Sequence, residues 1–144
     1  MGIREVKYLL DTGVWLRAVN EFQSIPPKVL GLLTAPKEMY GLAEISVWEV
    51  GKKVQSNKLA LPKDLPGWFA DALAPNIDVL PMSAAVVTDA MRLPQFPNRD
   101  PADELIVATA RVHRLTLITT DRKLKNYRHA HIHYFKPIQI KMNG

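Results

Sequence analysis

The chain has 144 residues, 47% of them hydrophobic, which is enough for one domain with a sizeable core and too few for two independent domains. It contains no cysteine, so disulfides, thiolate metal sites and a cysteine nucleophile are excluded, and any metal must be held by oxygen or imidazole ligands. Its formal net charge of +5 favours a polyanionic partner, and no apolar run approaches the roughly 20 residues of a membrane span.

Strand-like and helix-like segments alternate along the chain, a pattern typical of an α/β fold with a parallel sheet. The predicted strands cover residues 6–10, 42–45, 77–80, 115–119 and 131–135. The predicted helices cover residues 12–20, 26–34, 46–55, 64–74, 83–92 and 101–114. Ser46 and Asp100 are plausible N-caps, and Pro101 suits a first helical position. We find no internal repeat or linker, so residues 1–144 are predicted to form a single domain.

Four acidic residues lie beside the ends of these segments: Asp11, Glu49, Asp103 and Asp121. Asp11 directly follows the first predicted strand, and Asp121 comes just after the fourth. Ligands of open α/β sheets bind at this carboxyl edge. Asp103 is in line with the apolar face of its helix, where a charge needs a partner.

Each acid also has a purely structural interpretation. Asp11 and Asp121 suit turns or caps that open following helices, and Asp103 would complement a helix dipole. N-capping alone explains Asp100. On a helical wheel Glu49 lies opposite the apolar side, which indicates solvated surface.

Convergence of the four acids would have a specific chemical consequence. Close carboxylates repel one another, and burial raises their pKa values unless a cation neutralises them. All-oxygen ligation suits Mg²⁺ or Mn²⁺, which can generate hydroxide from water and stabilise charge on a phosphoryl group. The set therefore predicts a metal-dependent nuclease that hydrolyses phosphodiesters.

Four segments, taken together and in order, strongly resemble the motifs of PIN-domain proteins. They are YLLDT (8–12), SVWEV (46–50), RDPADELIVA (99–108) and LITTD (117–121). The likeness extends over about the first 130 residues and is greatest to the VapC-like ribonuclease toxins of type II toxin-antitoxin pairs.

The resemblance implies a three-layer sandwich in which helices flank a central parallel sheet. It also implies an acidic pocket that holds Mg²⁺ or Mn²⁺, and endonucleolytic cleavage of RNA. By position, the catalytic and metal-binding acids would be Asp11, Glu49, Asp103 and Asp121, with Asp11 and Asp103 as direct ligands. Thr119 would orient a carboxylate or water, and Thr12 and Asp100 would support the pocket. In this fold the helix edge that carries Glu49 faces the pocket.

The sequence departs from the nearest relatives at three positions outside the acid set. Gly13 replaces a frequent histidine, and Ala102 and Glu104 replace an aromatic and a basic residue. These differences affect the expected contacts with RNA and not the metal site. Glu104 in particular adds negative charge where a basic residue would hold phosphate.

Several basic residues neighbour the site acids and are candidates for RNA binding. They are Lys52, Lys53 and Lys58 after the Glu49 helix, and Arg122, Lys123, Lys125 and Arg128 after Asp121. The alternative is a solvated charged face. The resemblance also implies a cognate antitoxin that blocks the pocket and a homodimer. The absence of cysteine and of a signal-peptide pattern in residues 1–7 separately favours a cytoplasmic protein without membrane contact.

Other functions remain as alternatives. LLDTG at 9–13 also resembles the active-site signature of aspartic proteases. In that case the chain would have mainly β structure and would dimerise to form one active site. A haloacid dehalogenase-type phosphatase would need an Asp where Gly13 stands. A non-catalytic PIN-fold module that binds RNA or protein would be favoured by a missing site acid, and all four are present.

Overall fold

A computed structural model describes residues 5–73 and 75–140 of the chain. The strands are β1 (Val6–Leu10), β2 (Met39–Ala43), β3 (Ile77–Leu80), β4 (Thr116–Thr119) and β5 (Ile132–Tyr134). The α-helices are α1 (Thr12–Asn20), α2 (Pro27–Leu33), α3 (Glu44–Gln55), α4 (Leu65–Ala72), α5 (Ala84–Ala90) and α6 (Pro101–Val112), and a 3-10 helix covers Phe22–Ser24.

The strands form one parallel sheet in the order β3-β2-β1-β4-β5. From the central strand β1 the chain winds outward through β2 to β3, and β4 and β5 are later added on the other side. The winding therefore reverses between β1 and β4, whose registers align Leu10 with Ile118. A crevice beyond the carboxyl ends of the strands at such a switch point is where open α/β sheets bind ligands.

Apolar side chains alternate between the two faces of the sheet, as strand geometry requires. Leu10 and Ile118 point towards a core that also contains residues of α1, α2, α3 and α4. Their neighbours Leu9 and Leu117 point to the opposite core, which is built mainly on α6, and α5 packs on α6 through a small cluster. The predicted α/β sandwich is therefore confirmed, and the mainly β structure of an aspartic protease is excluded.

Two predicted helix starts are wrong. Helix α3 begins at Glu44, directly after β2, and Ala43 occupies its N-cap without a side-chain hydrogen bond. Ser46 is not a cap, because it lies inside the helix, fully buried, with its hydroxyl against Thr12. Asp121 is followed by consecutive turns over residues 122–126 and not by a helix. Asp11 and Asp100 do cap α1 and α6, as expected.

Within the described ranges, no helix has the length and hydropathy needed to cross a membrane.

Candidate functional site

Asp11 connects the two strands at the switch point. Its backbone N–H donates to Ile118 O at 3.0 Å, which extends the β1–β4 ladder by one residue. Its carboxylate accepts at 2.8 Å from the backbone N–H of Thr12 and at 2.6 Å from the hydroxyl of Thr119. The first contact caps α1, so the structural and the functional interpretations of this residue are compatible.

Asp121 is held beside Asp11 by the same hydroxyl. The backbone N–H of Asp121 donates to Oγ1 of Thr119 at 3.0 Å, and Oδ1 of Asp121 accepts from the backbone N–H of Lys123 at 2.9 Å. Thr119 is completely buried. Its hydroxyl therefore fixes one acid through the side chain and the other through the backbone.

Glu49 approaches the pocket from α3. The hydroxyl of Thr12 donates to Oε1 of Glu49 at 2.6 Å and lies 2.7 Å from Oγ of Ser46. Since a hydroxyl carries one proton, Thr12 can donate to the carboxylate while it accepts from Ser46. The helical wheel indicated solvated surface for Glu49, and this interpretation is wrong: the side chain is partly buried and directed to the start of α1.

Asp103 lies in the first turn of α6, on the side that the apolar pattern indicated. Its Oδ2 accepts at 3.0 Å from the side-chain amide of Asn98, whose Oδ1 accepts from the backbone N–H of Asp100. Asp100 in turn caps α6 through the backbone N–H of Ala102 at 2.9 Å. The loop before α6 thus orients Asp103 from outside the helix.

The acids influence one another electrostatically. Burial, together with the charges of Asp11, Asp100, Asp121 and Glu49, raises the pKa of Asp103 to about 7. Burial also raises the pKa of Asp11, against the hydrogen bonds from Thr119 and Thr12. Burial likewise raises the pKa of Glu49, against the hydrogen bond from Thr12 and the charge of Lys53. Negative charge concentrated in a partly buried pocket is unfavourable without a cation.

The donor chemistry fits a hard divalent cation. All four acids present carboxylate oxygens, and a bound cation would offset the burial and the mutual repulsion that raise the pKa of Asp103. No group of three His, Asp or Glu side chains among residues 5–73 and 75–140 already has a metal-binding arrangement. The oxygens of the four acids instead accept hydrogen bonds from hydroxyl and amide groups, so metal binding would require these side chains to rearrange.

The predicted RNA-binding residues differ in their surroundings. Lys53 is close enough to lower the pKa values of Asp11 and Glu49. Lys52 instead contacts its own helix, where its Nζ donates to the side-chain oxygen of Gln55 at 2.7 Å. The other candidates, which are all exposed, are Lys58, Arg122, Lys123, Lys125 and Arg128.

Two polar residues of the pocket were missed as site residues from the sequence. Asn98 follows Pro97 in a loop, and nothing in its local pattern indicates that it contacts Asp103. Ser46 had a helix-start pattern that pointed to capping, whereas its hydroxyl belongs to the buried network of Thr12. Both contacts depend on how distant segments pack, which a local pattern does not encode.

Comparison with known proteins gives consistent matches. The family model described as PIN domain matches residues 8–130. A curated relative, Ribonuclease VapC22 of Mycobacterium tuberculosis, is 33% identical over 88 residues, which are 61% of this chain and 67% of the relative.

Solved structures with the same fold come from several organisms. VapBC2 from Rickettsia felis, bound to a DNA fragment from its promoter, aligns with a TM-score of 0.68 and 18% identity over 90% of this chain and 98% of the other. DNA-bound VapBC from Salmonella typhimurium gives a TM-score of 0.68 at 12% identity, with the same shares covered. A VapBC-5 toxin-antitoxin structure from Mycobacterium tuberculosis gives 0.57 at 18% identity, over 92% of this chain and 99% of the other.

Proposed function

The chain belongs to the PIN-domain family, and we propose that it is a divalent-metal-dependent endoribonuclease, the toxin of a type II toxin-antitoxin pair. The observation that carries the proposal is the gathering of Asp11, Glu49 and Asp121 at the switch point by the hydroxyls of Thr12 and Thr119, close enough to Asp103 to help raise its pKa. The matched ribonuclease VapC22 supports the choice of RNA as substrate.

In the proposed site Asp11, Glu49, Asp103 and Asp121 hold Mg²⁺ or Mn²⁺, with Asp11 and Asp103 as direct ligands. The bound ion would supply a hydroxide nucleophile at neutral pH and would stabilise charge on the phosphoryl group.

The surrounding residues orient these carboxylates. Thr119 fixes Asp11 and Asp121, Thr12 fixes Glu49, and Asn98 fixes Asp103, each through one hydrogen bond to the acid or its backbone. Such contacts restrict the rotation of metal ligands and reduce the entropy lost when the ion binds. Asp100 supports the site indirectly, because it caps α6 and adds negative charge near Asp103.

The proposed partners follow from the relatives. The structures from Rickettsia felis and Salmonella typhimurium are VapBC complexes on DNA, and the VapBC-5 structure belongs to a toxin-antitoxin family. We infer that this chain has a cognate antitoxin, encoded beside it, that covers the acidic pocket and can place an arginine among the carboxylates. A homodimer in the cytoplasm is the proposed functional unit.

Two experiments test the proposal. Purified protein incubated with total cellular RNA should give discrete internal fragments with Mg²⁺ or Mn²⁺ and none with EDTA. Co-expression with the neighbouring gene should return a small protein bound to this chain and should suppress its toxicity. A protein that binds RNA but never cleaves it with either metal would instead be a non-catalytic PIN-fold binding module.

A further inference from the structure

A cleft of about 860 Å³ opens next to the acidic pocket. One wall is formed by α1 and the 3-10 helix, and the other by the turn after β4, by β5 and by residues 136–140. Thr120 lines the cleft and stands between Thr119 and Asp121 in the chain. Arg122, which follows Asp121, also lines the cleft, so the residues on both sides of Asp121 in the chain belong to it.

Positive charge dominates this cleft. Its lining includes four cationic side chains and one acidic side chain: Arg17, Arg122, Lys125, Lys136 and Glu21. Glu21 compensates only Arg17, in a partly exposed pair at 3.8 Å that contributes little. The other three cations are exposed and form no ion pair with any residue of the described ranges. Unpaired cations in a cleft attract a polyanion.

An aromatic ring lies among these charges. Tyr134 of β5 is half-buried and lines the cleft, and Nζ of Lys125 lies 5.1 Å from the centre of its ring. Ile138, which is 45% exposed, adds an apolar surface, and its backbone N–H donates to Ser24 O at 2.8 Å, which attaches this segment to the 3-10 helix. Cations that follow a phosphate backbone, combined with an aromatic platform for bases, are typical of single-strand binding.

A neighbouring cleft of about 770 Å³ offers a second path from the pocket. It shares Arg17, Glu21 and Thr120 with the first cleft, and its other lining residues, on α1 and at 59–62, are uncharged. It therefore has one cation, balanced by one acid. Charge selects the first cleft as the path for a nucleic acid.

We propose that the cleft lined by Arg122, Lys125, Tyr134 and Lys136 binds the single-stranded RNA segment next to the scissile phosphate. The cations contact successive phosphates, and one unpaired base stacks on Tyr134. This inference rests on the proposed ribonuclease function. The acidic pocket would hold the scissile phosphate, and the cleft would hold the RNA segment next to it.

The test measures the affinity of a short, fluorescein-labelled single-stranded oligoribonucleotide of mixed sequence by fluorescence anisotropy, over a range of KCl concentrations. Asp103→Asn is present in every sample so that the RNA remains intact. The cleft variants are Lys125→Gln, Lys136→Gln and Tyr134→Leu. The matched control is Lys7→Gln, which changes an exposed lysine near the amino end of the central strand β1 that does not line the cleft.

Each cleft lysine variant should weaken binding about fivefold at roughly 0.1 M salt and should reduce the slope of log K against log salt by about 0.7, the value for one contact with a single-strand phosphate. Lys125→Arg should restore both quantities. Tyr134→Leu should weaken binding about tenfold without changing the slope, whereas Tyr134→Phe should bind like the parent. Circular dichroism melts verify that each variant is folded.

The outcomes separate this inference from the proposed function. If wild-type protein cleaves RNA but the cleft variants bind like Lys7→Gln, the cleft does not carry RNA, while the nuclease assignment stands. That result would also be expected if the cleft received an acidic protein segment. If wild-type protein neither cleaves nor binds RNA, the proposed function and the inference that depends on it are both wrong.

Discussion

Thr119 donates a 2.6 Å hydrogen bond to Asp11, although 108 residues separate them in the chain. The same hydroxyl accepts from the backbone N–H of Asp121 at 3.0 Å. One buried oxygen thus holds the acids that follow β1 and β4, at the point where the winding of the sheet reverses.

Replacement of Thr119 by valine should impair both stability and activity. Valine nearly matches threonine in shape but leaves the backbone N–H of Asp121 without its acceptor, which costs about 1–3 kcal/mol. Loss of the contact to Asp11 should lower metal affinity or RNA cleavage about 10- to 100-fold. Urea unfolding and cleavage rates over a range of Mg²⁺ concentrations measure the two effects.

Thr119→Ser is the matched control for that variant. It keeps the hydroxyl, so it should retain most of the activity. A loss of activity in Thr119→Ser but not in Thr119→Val would mean that packing of the methyl group matters and the hydrogen bond does not.

Asp103 should make the metal-free protein less stable as the pH rises. The pKa of Asp103 is about 7 in the folded protein and has its ordinary value of 3.8 in the unfolded chain, so the folded state binds the proton more tightly. The associated stability is fully present below pH 3.8 and is lost as the pH rises through 7. Urea unfolding in EDTA, repeated between about pH 5 and pH 8, measures this decline.

Two variants identify the source of the decline. Asp103→Asn removes the titrating group, so its stability should vary less with pH and should exceed that of wild type at about pH 8. Asp78→Asn changes an exposed carboxylate of β3 and should leave the wild-type decline intact. A decline of equal size in all three proteins would contradict the origin assigned to it.

Mg²⁺ should reverse this destabilisation at neutral pH. An ion that binds only the folded state stabilises it by about 2.7 kcal/mol when its concentration is 100 times its dissociation constant. Melting temperatures measured at increasing Mg²⁺ should therefore rise for wild type and for Asp78→Asn. They should stay constant for Asp103→Asn, and an identical rise in this variant would place the ion elsewhere.

Glu49 provides a test of the acid that α3 contributes. Glu49→Gln removes its charge and should lower RNA cleavage at least tenfold, because a neutral amide is a weaker ligand for a divalent cation than a carboxylate. Glu44→Gln is the matched control, since Glu44 is exposed in the first turn of the same helix. Comparable cleavage by the two variants would remove Glu49 from the site.

Strand ends were the most reliable guide to the site in the sequence. Asp11 and Asp121 were expected at the carboxyl edge of the sheet, and the parallel order of the strands places both there. Asp103 was indicated by its alignment with the apolar face of α6, because helical periodicity is a local property. These three positions follow from patterns within single elements.

The remaining features depend on contacts between elements. Helical periodicity assigned Glu49 to solvent, since it contains no information about the Thr12 hydroxyl that α1 brings to α3. The basic cleft joins Arg17 to Tyr134 and Lys136, which are more than a hundred residues away along the chain. The packing of α1 against β4, with β5 paired to the other side of β4, brings them together.

Cleavage of total cellular RNA by three purified proteins, wild type, Asp103→Asn and Asp78→Asn, tests the central claim most directly. Each is incubated with Mg²⁺, with Mn²⁺ and with EDTA. We expect discrete fragments from wild type and Asp78→Asn with either metal, and none from Asp103→Asn or in EDTA. Cleavage that persists in EDTA, or that is equally strong in Asp103→Asn, would contradict a metal-dependent nuclease centred on this carboxylate cluster.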